Sequence, residues 1–143
     1  MAIEDKKAAA LSYEKALSLE PQNQQLRLSY VQILNDIGQT AEIEKVLRTA
    51  PKQDETMFRA RMAFASAAND ADALKRLQTE LRRAKAIAPE TKTFMSAQLY
   101  ELREKPVEAL KSYESIPQSA SVWADAQLRR AVLLAGRDAQ KPS

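Results

Sequence analysis

The side chains that most often carry chemistry are missing from this chain. It has no histidine and no cysteine. The commonest general base is therefore absent, and so are the usual nitrogen and sulfur ligands of a metal. No disulfide can form. Among the carboxylates, Glu42 with Glu44 and Asp70 with Asp72 form close pairs. Each pair falls where a helix is expected to start, and there a negative charge serves the helix dipole. Serines occur at Ser12, Ser18, Ser29, Ser66 and Ser96, but no strand–turn–helix elbow is predicted to expose one as a nucleophile. Two separated glycines cannot form a phosphate-cradling loop. The pattern offers no catalytic residue, no cofactor and no metal, and it predicts that the chain is not an enzyme.

Charge supplies one concentrated feature. Lys75, Arg76, Arg82, Arg83 and Lys85 fall within one expected helix. A spacing of seven sets Lys75 with Arg82, and Arg76 with Arg83, on neighbouring lines of that helix. Such a run fits either a docking patch for an acidic partner or a solvated outer face balanced by Asp70, Asp72 and Glu80. The second reading is the simpler. Over the whole chain 22 basic residues mix with 19 acidic ones, for a net charge of +3. A nucleic-acid binder more often shows a basic face with little acid in it, so no nucleic-acid partner is expected. The lone tryptophan, Trp123, reads as core rather than as an exposed anchor.

The elements that hold these residues are helices. The chain has 143 residues, 45% of them hydrophobic, with only 2 glycines. Mean hydropathy is -0.47. Alanine, the strongest helix former, occurs throughout. No apolar run is long enough to cross a bilayer, and Met1–Lys7 lacks the apolar stretch of a signal peptide. Absence of cysteine fits cytosol and periplasm alike.

Apolar spacing at three and four residues predicts helices over about 2–19, 24–37, 40–49, 54–68, 71–87, 90–103, 106–115 and 120–135. Pro21, Pro51, Pro89 and Pro117 close successive units, Gly38 and Gly136 end helices, and Asn69-Asp70 breaks the chain between two more. Two of these prolines report a repeat. Ala9, Tyr13 and Ala16 precede Pro21 by 12, 8 and 5 residues, and Leu77, Leu81 and Ala84 precede Pro89 by the same offsets. The prolines lie 68 residues apart, twice the roughly 34-residue period of a helix–turn–helix repeat.

On these residues the chain resembles the tetratricopeptide repeat family, in a bacterial form. Ala9, Tyr13, Ala16 and Pro21 match the small, bulky, small and proline positions of its second helix. Leu34 and Gly38 match the large residue and the glycine of its first helix, and Ala97 and Tyr100 match the small and large ones. The third pair has no glycine at its turn. The resemblance implies an all-α, right-handed superhelical solenoid of antiparallel helix pairs, with residues 1–143 as one repeat domain. The first helix then lacks its partner, as does the last, so the chain reads as a piece of a longer array with some tendency to self-associate.

The resemblance also implies a function. First helices line a concave face that binds a protein or peptide partner. The inward positions are expected at Gln25, Ser29, Gln32, Asp36, Arg61, Phe64, Gln98, Glu101 and Arg130. A lysine- and asparagine-rich carboxylate clamp used by some members is absent, its positions reading Leu28, Ser29 and Gln32. The alternative is a periplasmic repeat segment of a bacterial exopolysaccharide export protein, which recruits enzymes or contacts polymer. The periplasm or cell envelope is slightly favoured as the compartment, without insertion into a membrane.

Overall fold

The computed structural model describes residues 2–139. These fold into eight α-helices and one short 3-10 turn. They divide into two compact units, Met1–Asp70 and Ala71–Ser143.

The first unit holds α1 (Ile3–Leu19), α2 (Gln24–Asp36), the 3-10 turn Thr40–Glu42 running into α3 (Ile43–Arg48), and α4 (Glu55–Ala67). Starts are set by side chains. Asn23 accepts from the Leu26 amide at 3.0 Å, and Asp54 accepts from the Met57 amide at 3.0 Å. Each satisfies an amide that the helix itself leaves unpaired. The core joins Leu17 of α1, Tyr30, Val31 and Leu34 of α2, Ile43 and Leu47 of α3, and Met57 of α4. Burying each large aliphatic group contributes about 1.5–3 kcal/mol.

The second unit holds α5 (Ala71–Arg83), α6 (Pro89–Leu102), α7 (Pro106–Glu114) and α8 (Trp123–Ala139). Phe94 and Ala97 of α6, Ala109 and Tyr113 of α7, Ile116 of the connection after α7, and Ala126 of α8 build its core. Phe94 meets Tyr113 edge to face, with ring centroids 5.6 Å apart. Trp123 is half-buried against the same cluster, so it is a core residue as expected.

One turn recurs. After α2 the chain enters the left-handed region at Gly38 (φ 78°). The Gly38 amide bonds back to Asn35 O and the Gln39 amide to Leu34 O. After α4 the same pair of bonds runs from Asn69 to Ser66 and from Asp70 to Ala65, with Asn69 at φ 51°. After α6 it runs from Glu104 to Glu101 and from Lys105 to Tyr100, with Glu104 at φ 59°. All three are Schellman caps, which satisfy the last carbonyls while reversing the chain. Each joins a first helix to the connection that follows it.

Four expected boundaries move. The helix placed over 71–87 ends at Arg83. The Ala84 amide bonds only three residues back, to Leu81. Lys92 Nζ then donates to Arg82 O at 3.2 Å and Ala84 O at 2.8 Å, so an ammonium replaces the next helical amides. Residues 84–88 run non-helically and Ile87 is buried. Pro89 therefore does not close α5. It stands in the first turn of α6, where its missing N–H costs nothing. The segment 40–49 is helical in the α sense only over Ile43–Arg48, preceded by the 3-10 turn. The last helix begins at Trp123, after two turn bonds, Ala120 N to Pro117 O and Trp123 N to Ala120 O. It also passes through Gly136 to Ala139. Gly136 keeps a negative φ, and Leu133, Leu134 and Ala135 before it favour continuation. The helix end expected at Gly136 is thus corrected, and Arg137 belongs to the last turn of α8. Residues 140–143 of the expected 1–143 domain, and Met1, lie outside the described residues.

Candidate partner-binding surface

In the first unit α2 carries four of the expected contact residues. Gln25, Gln32 and Asp36 are exposed, and Ser29 is half-buried. Gln32 Nε2 donates to Asp36 Oδ1 at 3.1 Å. The opposite stripe of α2 is bound into the fold. Arg27, buried, donates to Val46 O at 2.6 Å and to Pro21 O at 2.8 Å, tying α2 to the ends of α3 and α1. Burial lowers its pKa. Tyr30 donates to Glu14 of α1 at 3.1 Å. Its phenol is pushed up to about 12, first by burial and then by the hydrogen bond to Glu14 and the charges of Glu14 and Glu42. So one face of α2 serves the interior, and its Gln25–Gln32 line faces water.

The α4 positions need correction. Arg61, expected on the binding face, is 1% exposed. Its guanidinium donates to Gln53 Oε1 at 2.9 Å and to Glu44 Oε1 at 3.3 Å, and it stacks 5.4 Å from the Phe58 ring centroid. Gln53 in turn donates to the carbonyls of Leu47, Arg48 and Ala50 at the end of α3. Arg61 is thus an internal strut from α4 to α3. Phe64 is half-buried and packs against the core of the unit. The reason is register. Gln25, Ser29 and Gln32 stand 13, 9 and 6 residues before the left-handed Gly38. Counting equally from Asn69 leads to Thr56, Ala60 and Ala63. Thr56 and Ala63 are exposed. Gln24 Nε2 donates to Asp54 at 3.1 Å, holding the starts of α2 and α4 together. The missed signal was Asn69 itself, because asparagine is the side-chain-bearing residue most at ease in the left-handed region.

In the second unit, α6 places Gln98 and Glu101 one turn apart. Gln98 is half-buried, and its Oε1 is buried without a hydrogen-bond partner. It stands 6 residues before Glu104, as Gln32 stands before Gly38. Glu101 is engaged. It accepts from Tyr113 of α7 at 2.5 Å and from Arg129 of α8 at 2.5 and 3.2 Å, so one carboxylate joins three helices. Burial alone would raise the Glu101 carboxyl. The hydrogen bonds from Arg129 and Tyr113, with the guanidinium charge, outweigh it and hold the group below its ordinary range. Burial and the bond to Glu101 push the Tyr113 phenol up, and the same bond raises Arg129. Arg130 is half-buried and pairs with Glu114 of α7 at 3.2 Å. Of the three expected residues here, Glu101 is spent inside the unit, while Arg130 pairs through Nε alone and Gln98 keeps an unpaired Oε1.

No group of three or more acidic residues able to hold a metal occurs among the described residues. None of the described helices is long and apolar enough to cross a membrane.

A family model described as tetratricopeptide repeat matches residues 3–92, more than half of the chain. The chain belongs to the tetratricopeptide repeat family. No curated protein and no solved structure matches it. The matched span covers α1 to the opening of α6. Beyond it the Schellman turn at Glu104 repeats the geometry found at Gly38 and Asn69. Repeats of this family generally mediate protein–protein interactions, on a fold that is typically a non-catalytic scaffold.

Proposed function

We propose that this tetratricopeptide repeat chain is a non-catalytic scaffold that holds a protein or peptide partner against the first helices of its pairs. One observation carries the reading. The α2 line Gln25, Gln32 and Asp36 is polar and exposed, while Gln24, Arg27 and Tyr30 spend their polar groups on Asp54, on backbone carbonyls and on Glu14. The resemblance to the family puts its groove face on that line as an expectation, and the exposure of these side chains supports it. Exposed Thr56 and small Ala63 on α4 supply a shallow flank at the equivalent positions. In the second unit half-buried Gln98 stands at the equivalent offset before Glu104. Amide and hydroxyl groups of this kind suit hydrogen bonding to an extended peptide backbone. They do not demand a charged partner.

The test is capture of partners by the wild-type chain and by a Gln25→Ala/Gln32→Ala/Asp36→Ala variant with unchanged helical circular dichroism. Partners enriched by the wild type and lost from the variant support the reading. A partner set identical for both refutes the α2 face.

A further inference from the structure

The second unit has another surface, on the side of α6 turned away from Gln98 and Glu101. We propose that the groove formed there by α5, α6 and α7 is a docking site for an acidic peptide segment. At 100° per residue, Lys92, Thr93, Ser96 and Tyr100 share one side of α6, and Gln98 and Glu101 fall on roughly the opposite side. The first group, with Arg82 of α5 and Ser112 of α7, lines a groove of about 410 Å³. Two cations, three hydroxyls and a phenol converge there, and none of the lining residues is a carboxylate.

The positive charge is fixed in place. Lys92 Nζ is anchored by the carbonyls of Arg82 and Ala84 at the end of α5. Arg82 is exposed, and no carboxylate of the described residues pairs with it. At the other end Arg103 lies 5.9 Å from the Tyr100 ring centroid and donates to Gln78 Oε1 at 3.4 Å. Gln78, buried, also donates to Ser96 Oγ and to Ser96 O, which locks α5 onto α6 along the groove floor. Lys75, exposed, stands seven residues before Arg82 on the same line of α5. The basic run of α5 therefore splits, and its Lys75–Arg82 line borders this groove.

Charge complementarity selects the occupant. Fixed cations favour carboxylates, and the Ser96 hydroxyl, which accepts from Gln78, keeps its own proton to donate, whereas the Thr93 and Ser112 hydroxyls donate to Pro89 O and Glu108 O; the Tyr100 and Pro89 surfaces accept apolar side chains between them. α6 is 14 residues long, about 21 Å, which an extended segment of about six residues spans.

The probe is a fluorescein-labelled hexapeptide of alternating glutamate and leucine, followed by anisotropy on the full chain. Saturable binding at about 50 mM NaCl, weakened at about 500 mM, is expected. Arg82→Glu should weaken it about tenfold or more and Lys75→Glu by a smaller factor, whereas Lys7→Glu, exposed on α1 and outside the groove lining, should leave it unchanged. Circular dichroism checks that each variant folds. No saturation below about 1 mM, equal binding of the glutamine version of the peptide, or full binding by Arg82→Glu overturns the proposal. A short single-stranded oligonucleotide that displaces the peptide at equal concentration overturns it too, because the groove would then read polyanions in general.

Discussion

Replacing Glu104 by glycine should stabilise the second unit. Glu104 sits at φ 59° in the Schellman turn after α6, where Gly38 serves after α2. A left-handed conformation costs a residue with a Cβ about 1–2 kcal/mol. Glycine removes that cost but loses more entropy on folding, about 0.5–1 kcal/mol. The Glu104 side chain is exposed and makes no hydrogen bond or ion pair among the described residues, so nothing else is lost. Its charge lies after the end of α6, where the dipole disfavours it, and two residues before Pro106 at the start of α7, where the dipole favours it. These effects largely cancel. The net gain is about 0.5–1 kcal/mol. Gly38→Ala is the mirror experiment. A Cβ there meets nothing within 4 Å, so only the backbone is strained, and a loss of about 1 kcal/mol is expected. Urea unfolding followed by Trp123 fluorescence reads the second unit, and far-ultraviolet circular dichroism reads both. For a unit of this size 1 kcal/mol corresponds to about 4–8 °C in Tm. A lower midpoint for Glu104→Gly, or an unchanged one for Gly38→Ala, refutes the assignment of one shared turn.

Three further outcomes are expected. The Glu101 pKa is depressed in the fold, so its stabilisation is fully present above the unfolded carboxylate pKa of about 4.3 and is lost as pH falls through the folded value. Glu101→Gln should flatten that acid limb of the Trp123-monitored stability curve, and an unaltered limb would show that the triad with Tyr113 and Arg129 contributes nothing. Arg61→Ala should cost about 3 kcal/mol in urea titrations, since it strips buried partners from Gln53 and Glu44; a loss under about 0.5 kcal/mol would return Arg61 to the surface. Gln98→Met, which removes an unpaired buried carbonyl, should be neutral or stabilising by up to about 1 kcal/mol while weakening any partner held on α6, and a marked destabilisation would mean that the carbonyl is satisfied.

Helix identity and order were legible because apolar spacing and proline punctuation agree along this chain. Tyr30, Val31 and Leu34 form one stripe of α2 and are all buried. What failed was set by contacts distant in sequence. Pro89 shares its offsets with Pro21, yet it opens α6, because Lys92 reaches back eight residues to Ala84 and ends α5 early. No local rule announces a lysine acting as a C-terminal cap. Glu104 gave no hint of a left-handed turn either. Its conformation is imposed by the start of α7 two residues later.

The candidate face shows the same division. Gln25 and Gln32 are exposed at the offsets that Gly38 sets on α2, and Gln98 stands at the matching offset before Glu104 on α6. On α4 no glycine marks the turn, and an arginine looks like a surface residue from composition alone. Arg61 is inside because two acceptors and the Phe58 ring replace its water, an arrangement that draws on α3, the loop at Gln53 and α4 together. The same logic separates the two charged lines of unit two. Arg129 and Glu101 spend their charges on each other and so hold α6 to α8. Lys92 spends its protons on the end of α5 but keeps its charge beside Arg82, which pairs with no acid among the described residues. A charge consumed internally stabilises the repeat, and a charge held in place without a counterion is available to a partner. By that criterion the groove around Arg82 has the stronger electrostatic claim, and the α2 line the stronger claim on an uncharged peptide backbone.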